Sequence, residues 1–130
     1  MEDWGGDWDT AITSTGIITH TFNVDADVEY TYPHMIIHPI TNNEITIRNE
    51  TEGRELVFTP KVANNTIIID CDKLTLTNTI NHFISMSDLS IEDPATIYWP
   101  RFVKGENQIT ITGDVIAVIK YREARKVGAY

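Results

Sequence analysis

Apolar and polar residues alternate along most of this chain with the two-residue period of β-strands. In residues 43–49, Ile45 and Ile47 alternate with polar neighbours, and in residues 108–112 Ile109 and Ile111 do the same, so each segment has one apolar face and one polar face. Ile, Val and Thr dominate these runs, and their branched β-carbons fit a pleated sheet better than a helix. Similar composition predicts further strands at 16–22, 34–38, 55–59, 66–70, 74–77 and 115–121, with extended chain around 98–99 and 102–103.

Turn-forming residues separate the predicted strands, at 41–43, 52–53, 64–65, 104–107 and 113–114. Short strands with a turn about every ten residues are typical of sandwiches and jelly rolls. Residues 80–93 lose the alternation and predict a surface excursion between two strands, within which 81–89 fits a helix or a loop. We therefore predict an all-β fold, an antiparallel β-sandwich or jelly roll with at most one short helix.

The chain has 130 residues, the length of one domain. We assign residues 1–13 to a lead-in segment and residues 14–130 to a single β-sandwich domain. Trp4 and Trp8 fall in the lead-in. Because large aromatic side chains are not normally left in water, we expect these two to fold back on the domain or to contact a partner.

Acidic residues outnumber basic ones 19 to 10, which gives a formal net charge of -9. Such a surface repels a phosphate backbone and an anionic membrane, so we expect neither nucleic acid nor membrane as a partner. Residues 120–126 form the one basic cluster, which we interpret as a local docking surface or a terminal strand beside acidic neighbours. The acidic start of the chain does not fit a secretory signal, which predicts folding in a cytoplasm.

Candidate chemistry is sparse. Cys71 is the only cysteine and lies between two aspartates, which predicts a buried structural thiol rather than a nucleophile. Asp70 and Asp72 would share one face of a strand, as would Asp25 and Asp27. Neither pair is followed by a third ligand at the spacing of a calcium loop, so we interpret both as solvated carboxylates.

His34 and His38 would lie ~13 Å apart on a strand, too far for one metal ion. His82, Ser85 and Asp88 are close in sequence, but a catalytic triad converges from a fold rather than from a peptide. We predict no catalytic residues, no metal and no cofactor.

Aromatic residues are the remaining lead for binding. Trp99 is a candidate for stacking on a sugar ring, although we favour the interpretation that it packs into the core. The other aromatic candidates for ligand or partner contact are Trp4, Trp8, Tyr30, Tyr32 and Tyr98.

Two segments, TIIIDCD at 66–72 and WPRFVKGENQITITG at 99–113, resemble the C-terminal half of siphophage distal tail proteins. Residues 15–19, 32–36 and 115–128 are similar to the entry strand, a Tyr-Pro strand start and the closing strand of that family, so the resemblance spans about 14–128. Gly105, Glu106 and Asn107 match its hairpin turn. In physical terms, Gly permits a left-handed turn and Asn caps it before the strand resumes.

The resemblance implies a galectin-like β-sandwich in the tail tip of a virion, made in the cytoplasm of the bacterial host, with no catalytic residues. The family's hexameric ring is built by an N-terminal half without a counterpart here, which leaves the oligomeric state uncertain. The leading hypothesis is a structural adaptor that docks other baseplate or receptor-binding proteins. The alternatives are a module that binds a host cell-wall saccharide and, with least support, a wall hydrolase.

Overall fold

The computed structural model of this chain describes residues 10–78, 86–91 and 97–122. Within these residues the fold is all-β and antiparallel, which confirms the predicted class, and the one helical element is a short 3-10 helix at Met86–Leu89. No helix of the described residues is long and apolar enough to span a membrane. The strands are β1 (Thr10–Val24), β2 (Tyr30–Thr31), β3 (His34–Pro39), β4 (Ile45–Asn49), β5 (Arg54–Phe58), β6 (Ile67–Asp70), β7 (Thr75–Thr77), β8 (Phe102–Val103) and β9 (Gly105–Lys120).

Two long strands, β1 and β9, organise the sheet. They pair over the whole of β1, from Thr10 opposite Ile119 to Val24 opposite Gly105. On its other side, β9 pairs first with β4, through residues 109–112, and then with β3, through residues 115–120. Since β5 lies beside β4, and β6 and β7 lie beyond β3, the two ends of β9 belong to two different groups of strands.

These two groups face each other as the layers of a sandwich. Leu56 and Phe58 of β5 line the same small apolar cavity as Ile69 of β6 and Leu76 of β7. Alternate residues of each strand point into this core, as the sequence pattern predicts. An aromatic cluster of Phe22, Phe102 and Tyr121 adds to it, with ring centroids 5.1–6.1 Å apart.

The predicted turn at 113–114 is wrong, because β9 runs through it. Gly113 lies opposite Gly16 of β1, at the point where β9 exchanges β4 for β3 as its neighbour. Its φ of +121° is unfavourable for other residues, and a Cβ there would lie 2.8 Å from the Glu44 carbonyl oxygen. The Ser14 hydroxyl donates to the Gly113 carbonyl at 2.7 Å, which helps to fix the crossing.

The structure differs in part from two other expectations, the lead-in at 1–13 and the surface excursion at 80–93. Residues 10–13, which we assigned to the lead-in, form the start of β1, and Ile12 is buried. The excursion at 80–93 is not wholly a surface feature, because Leu89 is buried in the core and its carbonyl accepts a hydrogen bond from the Thr59 N–H at 2.9 Å. Residues 79–85 and 92–96 lie outside the described part of the chain.

Replacing Gly113 by alanine should destabilise the fold by about 3 kcal/mol, because both the backbone conformation and the Glu44 carbonyl oppose a Cβ. Gly16→Ala is the matched control. Gly16 also has a positive φ, but nothing lies within 4 Å of the position that a Cβ would occupy there, so we expect a loss of about 1 kcal/mol. Urea unfolding of both variants measures the difference, and equal losses would contradict this account of the crossing.

Candidate functional site

The richest group of polar and aromatic side chains lies where β2, the β4–β5 turn and the segment before β8 meet. Its centre is Glu52, which receives hydrogen bonds from Arg101 and Tyr98. Aromatic rings and guanidinium groups surround this carboxylate. We call the group the Tyr–Arg cluster; its members are Tyr30, Tyr32, Glu52, Arg54, Tyr98 and Arg101.

Glu52 and Arg101 form a partly buried ion pair. The Arg101 Nε donates to Glu52 Oε1 at 2.7 Å, Nη2 lies 2.5 Å from the same oxygen, and the side chains are 21% and 14% exposed for Arg101 and Glu52. Burial alone would raise the pKa of Glu52. The hydrogen bonds from Arg101 and Tyr98, with the charges of Arg101 and Arg54, outweigh burial, so this pKa lies below its ordinary value of 4.5. Glu52 is therefore a fixed anion at neutral pH.

Each arginine of the cluster also lies over a tyrosine ring. The Cζ atom of Arg101 is 3.7 Å from the ring centroid of Tyr30, and that of Arg54 is 4.1 Å from the ring centroid of Tyr98. Both distances fall within the range of cation–π attraction. Burial, followed by the charge of Glu52, raises the pKa of Tyr98 to about 12, so its hydroxyl stays a donor to Oε2 of Glu52 at 3.1 Å.

Tyr32 and Arg54 are the exposed members of the cluster, and Tyr32 lies beside Arg101. The Tyr32 side chain makes a hydrogen bond with Arg101, and the residue is 39% exposed. The pKa of Arg101 is raised above its ordinary value, chiefly by the hydrogen bond to Glu52. The cluster therefore presents a tyrosine and an arginine that are already held in place before any partner arrives.

Two buried asparagines hold the backbone under this cluster. The Asn107 Oδ1 accepts from the Val103 N–H at 2.8 Å, and its Nδ2 donates to the carbonyls of Val103 at 2.8 Å and Gly105 at 3.0 Å. This side-chain amide thus pairs with Val103 as a neighbouring strand would. The Asn49 Nδ2 donates to the Arg101 carbonyl at 2.9 Å and to Asn107 Oδ1 at 3.3 Å, which fixes the position of Arg101.

Gly105, Glu106 and Asn107, which we expected to form a hairpin turn, instead connect two strands that do not pair with each other. Gly105 has a φ of +97°, Glu106 is exposed and Asn107 is fully buried. However, β8 pairs with β2, whereas β9 pairs with β1, β3 and β4, so the trio does not join two strands of one hairpin. Its geometry instead bends the chain from β8 into β9.

The tryptophans proposed as ligand contacts do not lie in the cluster as far as the structure describes them. Trp99 is half-buried, packs against the hydrophobic core and lines the small cavity beside Leu56, Phe58 and Leu89. Trp4 and Trp8 lie outside the described residues. The sequence singled out the tyrosines but missed Glu52, which we assigned to a turn, and both arginines.

The remaining candidates have structural settings. Cys71 is fully buried, and burial together with the charge of Asp70 raises the pKa of its thiol far above the ordinary value. The Asp70 carboxylate accepts the N–H groups of Asp72 and Lys73, each at 3.1 Å, and so caps the turn after β6. Burial is the main reason that the pKa of His34, 4.0 Å from Asp70, is lowered. No three potential metal ligands converge among the described residues.

Comparison with known proteins adds one match. A family model described as a phage tail C-terminal domain matches residues 7–121, which include β1 to β9 as described above and the Tyr–Arg cluster. No curated protein and no solved structure matches the chain.

Asn107→Ala should cost about 2–4 kcal/mol of stability, because it leaves the Val103 N–H and carbonyl without their partner. The neighbouring Glu106 is exposed, so Glu106→Ala should change stability by less than about 0.5 kcal/mol. Thermal and urea unfolding compare the two. A small loss for Asn107→Ala would show that the amide does not hold the segment.

The Glu52 pair also predicts how stability depends on pH. Because the folded pKa of Glu52 is depressed, its contribution is fully present above the unfolded value of about 4.5 and is lost as pH falls through the folded value. In Glu52→Gln this part of the acid destabilisation should disappear, whereas the exposed Glu55→Gln should keep it. Unfolding free energies measured from pH 6 to pH 3 test this, and parallel curves for wild type and Glu52→Gln would be inconsistent with it.

Proposed function

The chain belongs to the phage tail C-terminal domain family, and from that premise we propose that it is an adaptor that docks other tail proteins through the Tyr–Arg cluster. Membership in this family implies a structural component of the virion. The finer assignment, to the galectin-like C-terminal domain of a distal tail protein in the baseplate, is our proposal. It is supported by the motifs at 66–72 and 99–113, which fall inside the matched region.

The docking role is supported by the residue types of the Tyr–Arg cluster and by the contacts that already fix their side chains. Tyr and Arg are enriched among the residues that dominate binding energy at protein interfaces. Here Arg101 is held by Glu52 and stacked on Tyr30, so little side-chain freedom remains to be lost on binding. Tyr32, exposed beside it, supplies an amphipathic contact surface.

Charge favours the same surface. The chain carries a net charge of -9, yet the cluster contains two arginines against one glutamate. A partner surface with acidic or aromatic side chains would therefore meet less repulsion here than from the chain as a whole. We place the adaptor contact at this end of the sandwich.

Saccharide binding is the second candidate, and the geometry gives it less support. Sugar recognition of this kind uses an open aromatic face. One face of the Tyr30 ring is covered by Arg101 and one face of the Tyr98 ring by Arg54, while Trp99 packs against the core. The cluster therefore resembles a protein contact more closely than a sugar-stacking platform. A catalytic role is not part of the proposal, and turnover of cell walls by the purified chain would argue against it.

Binding of the purified chain to the purified tail-tip proteins of the same phage tests the proposal. Tyr32→Ala and Arg101→Ala should each weaken the complex at least about 10-fold, the size typical of an interface hot spot. Lys61→Ala is the control, since Lys61 is exposed and lies in the loop at the opposite end of β5. Because Tyr32 is 39% exposed, its variant should fold normally.

Unchanged affinity in both cluster variants would refute docking at this site. Saturable binding of host cell-wall fragments, lost in Tyr32→Ala but kept in Lys61→Ala, would favour the saccharide candidate instead.

A further inference from the structure

Neither the sequence of β1 nor any other described strand protects the outer edge of β1. Within the described part of the chain, β1 pairs only with β9, so its other side carries no ladder. Its 15 residues include no Lys, Arg, Asp, Glu or Pro. Natural sheet edges are usually short, charged or interrupted by proline, because an open edge pairs readily with another strand.

The two other edges of the seven-stranded sheet do carry such protection in the described residues. The edge strand β5 has five residues and begins with the charged pair Arg54 and Glu55. The edge strand β7 has only three residues and follows Lys73 closely. Because β5 and β7 are protected and β1 is not, we infer that the open edge of β1 pairs with another strand.

The residues of β1 are also complementary to themselves. Around Ile17, the outward-facing positions read Thr13, Thr15, Ile17, Thr19 and Thr21. If a second β1 pairs antiparallel about a two-fold axis at Ile17, Asn23 lies opposite Ala11, and the pairs nearer the axis are Thr13–Thr21, Thr15–Thr19 and Ile17–Ile17. Such cross-strand pairs are favourable, and like charges never meet. Ile17, 71% exposed, is the most exposed large hydrophobic residue in the described part of the chain, and this pairing would cover it.

We propose that two copies of this chain associate edge to edge, through antiparallel pairing of β1 with β1 of the second copy, centred on Ile17. A two-fold interface of this kind uses the same patch on both copies, as the symmetric pattern of β1 requires. The neutral strand also provides a strip along which two chains of net charge -9 approach with least repulsion. The inference concerns a different surface from the Tyr–Arg cluster and does not rest on the adaptor role.

Sedimentation velocity over a range of concentrations tests the association. The mass of the full chain should rise from 14.8 kDa toward twice that value, and it should rise at lower concentration in high salt, where repulsion is screened. Ile17→Lys places two like charges opposite each other and should weaken the dimer at least about 10-fold. Val62→Lys, at a loop position that is 57% exposed, should dimerise as the wild type does.

Single cysteines then test the register. In the proposed dimer the two Ile17 Cα atoms lie about 4.5–5.5 Å apart, within the range of a disulfide. Ile17→Cys should therefore oxidise to a covalent dimer. Thr21→Cys, equally outward-facing, should not, because its two copies would lie ~27 Å apart along the strands. The native Cys71 is buried and should not interfere.

A chain that stays monomeric at all concentrations would overturn the proposal. So would a dimer that Ile17→Lys leaves intact, or cross-linking that is as efficient at position 21 as at position 17.

Discussion

The ladder between β1 and β9 is the constraint on which the rest of the structure depends. One edge of β9 pairs with β1 throughout, while the other edge pairs with β4 in one layer and with β3 in the opposite layer. Both layers are therefore tied to the same pair of strands. This requires β9 to pass from one layer to the other without losing its partner, which it does at Gly113, opposite Gly16.

Strand β9 also helps to position the Tyr–Arg cluster. Asn107 lies near the start of β9 and uses its side-chain amide to hold Val103, while Asn49 of β4 reaches both Asn107 and the Arg101 carbonyl. The segment before β8 is thereby attached to the sandwich, although it makes few ladder contacts of its own. A rigid scaffold that positions a few side chains on connecting segments is a common way to build a binding surface.

Local patterns in the sequence predicted most of the strands. The alternation of Ile45 and Ile47 determined which face of β4 is buried, because a shift of one residue would reverse every side chain. The pattern failed at Gly113 and Asp114, where turn-forming residues occur inside a strand. There, pairing with β1 on one side and with β3 and β4 on the other outweighs the local preference for a turn. The candidate site was less predictable, because Glu52 and Arg101 are 49 residues apart in sequence and meet only where β2 and β8 pair next to the β4–β5 turn.

Hydrogen–deuterium exchange of the chain, alone and in a mixture with other tail proteins of the same phage, tests the proposed docking site most directly. Binding should slow exchange in peptides that contain Tyr32, Glu52 and Arg101, and should leave exchange in the loop around Val62 unchanged. Slower exchange confined to other surfaces, with these three peptides unaffected, would contradict the assignment of the Tyr–Arg cluster as the docking site.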